Sequence, residues 1–288
     1  MLKDLLKLMR IKHWIKNGLI FLPLFFAKEI FDVNNFFITC FAFFSFSFMA
    51  SAVYIINDIN DIEKDKKHPT KYNRPLASGR IKPGQAFLIL VICVLLCILF
   101  NYLASDRSYI SWILLILYAI SNLCYSMGMK DIALIDLAIL ILGYILRLYY
   151  GAVIGNIEVS SWLYLTIMAA AFFMSLGKRR NELIKLGSGT KTRKVLEQYT
   201  KDFLDKSMYM ALGLTITFYS LWSKELSQAS GNTFILFTIP LVILICMKYI
   251  LLIEGDSDGD PMEVLTEDKS LIGLILIYII ILTGILYK

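Results

Sequence analysis

Apolar residues in this chain run in long stretches, most of them near the ~20 residues that a helix needs to cross a ~30 Å hydrocarbon core. The stretches predict membrane spans near 18–31, 35–56, 84–104, 108–126, 132–154, 160–177, 207–226, 232–253 and 270–287, the first of them short. Polar segments between them alternate in length, with loops near 57–83, 127–131, 178–206 and 254–270. The expected fold is an all-α integral membrane protein, a bundle of nine transmembrane helices with a polar cavity facing the cytoplasm. Residues 1–17, where Leu and Ile alternate with Lys and Arg, read as an interfacial amphipathic helix anchored by Trp14. Residues 18–288 read as a single membrane domain.

Composition agrees with this pattern. The 288 residues are 58% hydrophobic and only 18% charged, and mean hydropathy is +0.66. Soluble chains are about 45–50% apolar and about 25% charged, so soluble enzymes, disordered chains and disulfide scaffolds are poor readings. The net charge of +6 would suit nucleic acid if it were clustered without regard to spans, but it follows the membrane instead. Lys3, Lys7, Arg10, Lys12 and Lys16 precede the first span, and the four long or short loops above carry most of the other cations. Only Lys28, Arg107, Lys224 and Lys288 fall on the opposite side. Basic loops stay in the cytoplasm, which places the N-terminus inside and the C-terminus outside an inner membrane. Cys40, Cys93, Cys97, Cys124 and Cys246 lie in apolar stretches without zinc spacing, and read as packing residues. His13 and His68 are the two histidines, which excludes an HExxH site.

The richest chemistry follows the second span: Asn57, Asp58, Asp61 and Asp65. At about 100° per residue these four share an arc of about 100° on a helix. Carboxylates so arranged repel one another unless a cation joins them. Mg²⁺ prefers oxygen ligands and completes its shell with water and substrate phosphates. His68, Lys71, Arg74, Ser78 and Arg80 follow at once, and cations facing a carboxylate-held metal suit a diphosphate, whose charge needs neutralising from several sides. The competing reading is a solvated loop whose opposite charges pair locally.

Asn57-Asp58-x-x-Asp61-x-x-x-Asp65, followed by Arg74-Pro75-Leu76-Ala77-Ser78-Gly79, resembles the first aspartate-rich motif of the UbiA-type membrane prenyltransferase superfamily. Classical members carry a second such motif after the sixth span. Here that stretch is Gly177-Lys178-Arg179-Arg180-Asn181-Glu182, basic with a single acid. Together with Trp14-Ile15-Lys16-Asn17, His68-Pro69-Thr70-Lys71, Gly259-Asp260-Pro261-x-Glu263 and Asp268, it looks like the decaprenyl-phosphate phosphoribosyltransferase branch. Tyr125-Ser126 with Lys130 and Asp136 is similar to that branch's central loop, whereas Ile11 stands where a proline is expected after Arg10.

The resemblance implies that Mg²⁺, held by Asp58, Asp61 and Asp65 with Asn57 nearby, binds the diphosphate of 5-phosphoribose 1-diphosphate. A polyprenyl phosphate attacks ribose C1 and pyrophosphate leaves. Asp58, Asp61, Lys130 and Asp136 are the candidate catalytic residues. Lys16, Asn57, Lys71, Arg74, Lys178 and Arg179 are candidates for holding donor or acceptor phosphates. The alternative enzyme within the superfamily moves an isoprenoid from a prenyl diphosphate onto an aromatic or other small acceptor.

Arg147 is a charge at membrane depth, expensive unless paired or wet. Asp136 lies eleven residues earlier on the same helical face, with Gly143 between, at a ~16 Å rise that excludes a direct pair. A polar cavity lined by this helix, with Tyr125, is expected, against a structural partner on another span. A transporter would need polar residues through several spans, and they are scarce. Gly151-x-x-x-Gly155 reads as a close helix contact. Gly187-Ser188-Gly189-Thr190-Lys191-Thr192 lacks phosphate-loop spacing and a preceding strand.

Overall fold

The computed structural model describes residues 2–66, 71–105, 108–186, 194–255, 264 and 267–288. Regular structure among these residues is helical throughout. His68, Pro69, Thr70, Arg107, the 187–192 stretch, Gly259, Asp260, Pro261 and Glu263 lie outside the described residues.

After α1 (Leu2–Leu8) a 3-10 segment covers Ile11–Phe21, followed by α2 (Leu22–Phe26). The long helices are α3 (Val33–Asn60), α5 (Pro83–Ser105), α6 (Tyr109–Ser126), α7 (Ile135–Gly155), α8 (Ser161–Leu186), α9 (Lys201–Ser230), α10 (Thr238–Glu254) and α11 (Lys269–Leu286), with a short α4 (Ile62–Lys66) after α3. Their starts are written in the sequence. Asp32 accepts from Asn35 N at 2.8 Å, Thr200 from Phe203 N at 3.1 Å, and Asp268 from Leu271 N at 2.7 Å. Each side chain satisfies an N–H that the first helical turn leaves unpaired. Pro83 opens α5, where its missing N–H costs nothing. Gly231 ends α9 at φ 68°, a left-handed stop that glycine makes without strain.

Seven described helical segments are long and apolar enough to cross a membrane, so the chain is a multi-pass membrane protein. They match seven of the expected spans in order. An eighth, α9, occupies the 207–226 position at 30 residues but is more polar. The stretch expected as a span at 18–31 is not one continuous α-helix: it is divided among a 3-10 segment, α2 and the turn before α3. Apolar length cannot distinguish a wide from a tight helix, and Pro23 restarts the winding as α2 opens. The single interfacial helix over residues 1–17 is corrected as well, because the backbone breaks at Arg10, φ 51° and ψ 46°. Trp14 is partly buried and packs against α3. Its Nε1 donates to Ser51 Oγ at 3.0 Å and its ring meets Phe43, Phe44 and Phe48 edge-on.

The chain divides into two compact units, one of Met1–Met127 with Leu146–Glu158, the other of Gly128–Ile145 with Val159–Lys288, so the border runs through α7. In the first unit α3 packs along α5. Ala42, Phe46, Ala50 and Cys97 form one apolar cluster, while Ala52, Ile55, Leu76 and Ile81 form another nearer the end of α3. Gly151 lets its helix approach the 3-10 segment: a methyl there would sit 2.0 Å from Ile20 O. In the second unit α8 packs along α9 over a core that includes Phe173, Met208, Tyr249 and Ile253. All five cysteines are free thiols, Cys93 and Cys97 fully buried, consistent with packing.

Candidate active site

In the first unit, the acidic stripe forms where α3 ends and α4 begins. The break at Asp61, φ −99° and ψ 9°, leaves the helical hydrogen bonds running: Asp61 N donates to Asn57 O at 3.0 Å and Asp65 N to Asp61 O at 2.8 Å. Asn57, Asp61 and Asp65 therefore stack one turn apart. Asp58 and Asp65 are buried, at 3% and 4% exposure, and charges so buried require partners. Arg74 supplies one for both, its Nη1 lying 3.1 Å from Asp58 Oδ1 and 2.7 Å from Asp65 Oδ2. A second guanidinium reaches the same Asp58 oxygen: Arg10 Nη2 donates to Oδ1 at 2.5 Å, and Arg10 Cζ lies 4.4 Å from the Tyr54 ring centroid. Asp61 pairs with Lys64 at 3.3 Å on the more exposed side.

The loop after the stripe explains its own sequence. Pro75, Leu76 and Ala77 are buried, and Leu76 packs with Ile55 and Ile81. Gly79 turns the chain at φ 74°. Ser78 Oγ donates back to Arg74 O at 2.8 Å, so this serine caps the turn. A buried three-residue plug thus fixes Arg74 against the carboxylates. Arg80 points elsewhere and donates to Asp4 Oδ1 at 2.8 Å. Desolvation pushes the Asp4 carboxyl up, but the hydrogen bond and charge of Arg80, together with the N-terminal amine, outweigh it and hold its pKa below the ordinary value. Lys71 follows as a half-buried residue on a short 3-10 turn, and Lys16 is half-buried on the Ile11–Phe21 segment.

Among the described residues no three Asp, Glu, His or Cys side chains close on one point as a metal cage, because Arg74 stands between Asp58 and Asp65. The donor set still fits a hard divalent cation. It is all oxygen, it includes two buried carboxylates, and the buried Asn57 Oδ1 has no hydrogen-bond donor among the described residues. A buried oxygen left unsatisfied is costly in a fold, and an amide oxygen is a competent ligand for a hard cation.

The same unit holds Arg147. It is 7% exposed. Its Nε donates to Asn17 Oδ1 at 2.7 Å, its Nη2 to Tyr118 OH at 3.2 Å, and its Cζ lies 5.0 Å from the Phe46 and Tyr118 ring centroids. Asn17 in turn donates to Ser47 Oγ at 2.8 Å. The charge is thus paired with side chains of the Ile11–Phe21 segment and α6. Tyr125 is half-buried near the end of α6.

The second unit holds Asp136, Lys130, Lys178 and Arg179. Asp136 is fully buried. One of its oxygens accepts from Arg179 Nε at 2.6 Å and the other from Tyr199 OH at 2.7 Å. Arg179 Nη1 also donates to Glu182 Oε2 at 2.7 Å. Burial pushes the Tyr199 hydroxyl up to about 12, so it keeps its proton for Asp136, and it accepts in turn from Leu134 N at 2.7 Å. Asp136, a candidate catalytic group, and Arg179, a candidate phosphate ligand, thus form a buried ion pair with each other. Arg180 is occupied likewise, with its Nε on Asp205 Oδ1. Asn181 Nδ2 ties α8 to Ile253 O at 2.8 Å. Lys130 and Lys178 are half-buried. Lys130 sits on the turn that Gln198 secures through Asp131 O and Ala133 N.

Arg10 and its Tyr54 platform were missed as site residues. Arg10 enters the sequence reading only as part of the basic N-terminus, and the position after it, Ile11 in place of proline, is the one local signal.

A decaprenyl-phosphate phosphoribosyltransferase of Corynebacterium glutamicum is 34% identical over 98% of this chain and 86% of its own length. One from Mycolicibacterium smegmatis is 29% identical over 97% of this chain and 91% of its own. The fold matches the solved structure of a UbiA homolog from Archaeoglobus fulgidus bound to GPP and Mg²⁺, with TM-score 0.69 at 18% identity over 99% of both chains. The model of the UbiA prenyltransferase family matches residues 19–266, a range that takes in the acidic stripe, the Arg74 turn and the buried Asp136–Arg179 pair. With that match spanning most of its length, the chain belongs to the UbiA prenyltransferase family.

Proposed function

We propose that this protein transfers 5-phosphoribosyl from 5-phosphoribose 1-diphosphate to a polyprenyl phosphate of the decaprenyl type, releasing pyrophosphate. The observation that carries the reading is the end-to-end relationship to decaprenyl-phosphate phosphoribosyltransferases, 34% identity over 98% of the chain. The local chemistry supports it, because buried carboxylates and arginines meet where a diphosphate needs both a metal and cations.

Asp58, Asp61 and Asp65, with Asn57, are the residues that would hold Mg²⁺, whose chemistry is to draw off charge from the departing diphosphate. Arg74 binds the donor diphosphate from the opposite side, with Lys71 and Lys16 adding positive charge. Arg74 is preorganised by the buried Pro75–Ala77 plug and so stabilises the leaving group without reorganising as the bond breaks. The acceptor phosphate is anionic at neutral pH and attacks ribose C1 without a protein base. Lys130 and Lys178 are assigned the remaining phosphate, and Tyr125 a place in the polar cavity.

The membrane arrangement follows the same reading. Seven spans, α9, and the N-terminal segment make nine crossings of one membrane domain. The basic loops place the N-terminus and the polar cavity on the cytoplasmic side of an inner membrane and the C-terminus outside.

The test is purified protein in detergent given labelled 5-phosphoribose 1-diphosphate with decaprenyl phosphate, and separately a labelled prenyl diphosphate with an aromatic acid. Label is expected in the lipid only in the first reaction, and only with a divalent cation present. Prenyl transfer alone, or full activity in excess chelator, refutes the proposal.

A further inference from the structure

We propose that Arg10 is a second diphosphate-binding arginine, which neutralises Asp58 until a metal arrives and then turns to the donor's diphosphate. The proposal rests on the reading above for the metal at the acidic stripe and for the identity of the donor.

The charge balance at the site motivates it. Asp58 and Asp65 are answered by Arg10 and Arg74, so the buried group is neutral as it stands. A divalent cation on those carboxylates takes over the oxygens that both guanidinium groups use and leaves two extra positive charges close by. A diphosphate, carrying several negative charges, removes that excess. Metal and diphosphate therefore each bind weakly alone and tightly together, a positive coupling that is reciprocal by linkage.

Arg10 is built to change partners. Asp58 Oδ1 is shared by Arg10 and Arg74, so losing one donor does not strand the carboxylate. The Arg10 side chain is 22% exposed against 1% for Arg179, and solvent and ligand reach it. Tyr54, one turn before Asp58, lies under the guanidinium at 4.4 Å. That cation–π contact persists when the carboxylate is taken. The backbone aims the side chain: Met9 O accepts from Ser51 Oγ at 2.7 Å, and Arg10 itself adopts φ 51°, a conformation that L-residues hold only when their surroundings impose it.

Calorimetry on the full chain in detergent tests this with Mn²⁺ alone, and then with inorganic pyrophosphate at saturating Mn²⁺. Relative to the wild type, Arg10→Met is expected to bind Mn²⁺ alone at least about fivefold more tightly, because a competing cation has gone. It should bind pyrophosphate about tenfold more weakly, and KM for the phosphoribosyl donor should rise in the same proportion. Arg10→Gln, which keeps a hydrogen bond to Asp58, should show both shifts in smaller measure and serves if the first variant does not fold. Mn²⁺ affinity that is unchanged or weaker overturns the proposal, as does unchanged pyrophosphate affinity. A purely structural bridge predicts that outcome together with a lower unfolding temperature. Calorimetry needs no turnover, so a protein that binds both ligands as stated yet transfers a prenyl group would refute the proposed function and leave Arg10 in place.

Discussion

Two ion-pair clusters in this chain use the same chemistry to different ends. In the second unit Asp136 meets Arg179 at 2.6 Å with both residues almost completely buried, and Tyr199 takes the other carboxylate oxygen. Every group there has its partner, and the arrangement is closed. In the first unit Asp58 and Asp65 are nearly as buried, but their arginines are 22% and 29% exposed. One oxygen serves two donors, and Asn57 Oδ1 beside them has none among the described residues. A closed pair holds helices together, whereas an over-subscribed oxygen next to an unsatisfied one, open on one side, is arranged for something that has to come and go. Burial alone does not separate structure from function here, but the completeness of the hydrogen bonding does.

The sharpest way to break this distinction is to remove carboxylate charge from each cluster. Asp61→Asn, on the open side, is expected to lower kcat by about 10³-fold and to leave thermal unfolding close to wild type, because its partner Lys64 is exposed and such pairs contribute little. Asp136→Ala should do the reverse. It leaves Arg179 buried without its main counter-ion, a cost of about 3–5 kcal/mol, read as a lower unfolding temperature, while the fraction that remains folded keeps donor KM near wild type. Should Asp136→Ala fold normally and lose turnover selectively, the two clusters would have to exchange roles.

Arg147→Leu is a smaller perturbation and tests how the first unit aims its cations. It strands the Asn17 oxygen, at a cost of about 1–3 kcal/mol, and loosens the 3-10 segment that Gly151 also grips at Ile20. Faster proteolysis near residues 11–21 and a raised donor KM with little change in kcat are expected, since Arg10 and Lys16 lie on or beside that segment. Unchanged KM would show that the segment does not position those cations.

What the sequence could reveal followed from distance along the chain. The acidic stripe and the Arg74 turn were legible because helical stacking and turn chemistry act within about ten residues. Asn57, Asp61 and Asp65 stand one turn apart, and Gly79 and the buried Pro75 shape the turn. The contacts that decide each cluster's role join residues far apart: Arg10 and Asp58 are separated by 48 positions and Asp136 and Arg179 by 43. No local period records such pairings, so the sequence shows Arg10 only as a topology signal and Arg179 as a candidate phosphate ligand, without the partner of either. The same limit applies to the first apolar stretch, where hydrophobicity reported burial and depth but not that the chain winds as a 3-10 helix.

Tyr199→Phe probes the closed cluster most gently. The variant loses a hydrogen bond to a charged acceptor, worth about 1.5–3 kcal/mol, and leaves Leu134 N without its acceptor. The pH dependence separates this from a simple packing change. Burial holds the Tyr199 pKa up at about 12, above the about 10 of an unfolded chain. A group whose proton is held more tightly when folded stabilises fully below the unfolded value, and that stability is lost as pH rises through the folded one. Wild type should therefore lose stability between pH about 10 and about 12 more steeply than Tyr199→Phe, so that the two unfolding temperatures converge as the pH approaches about 12. Parallel curves over that range would mean that the hydroxyl does not protect Asp136, and the claim that this cluster is closed would fail at its most accessible hydrogen bond.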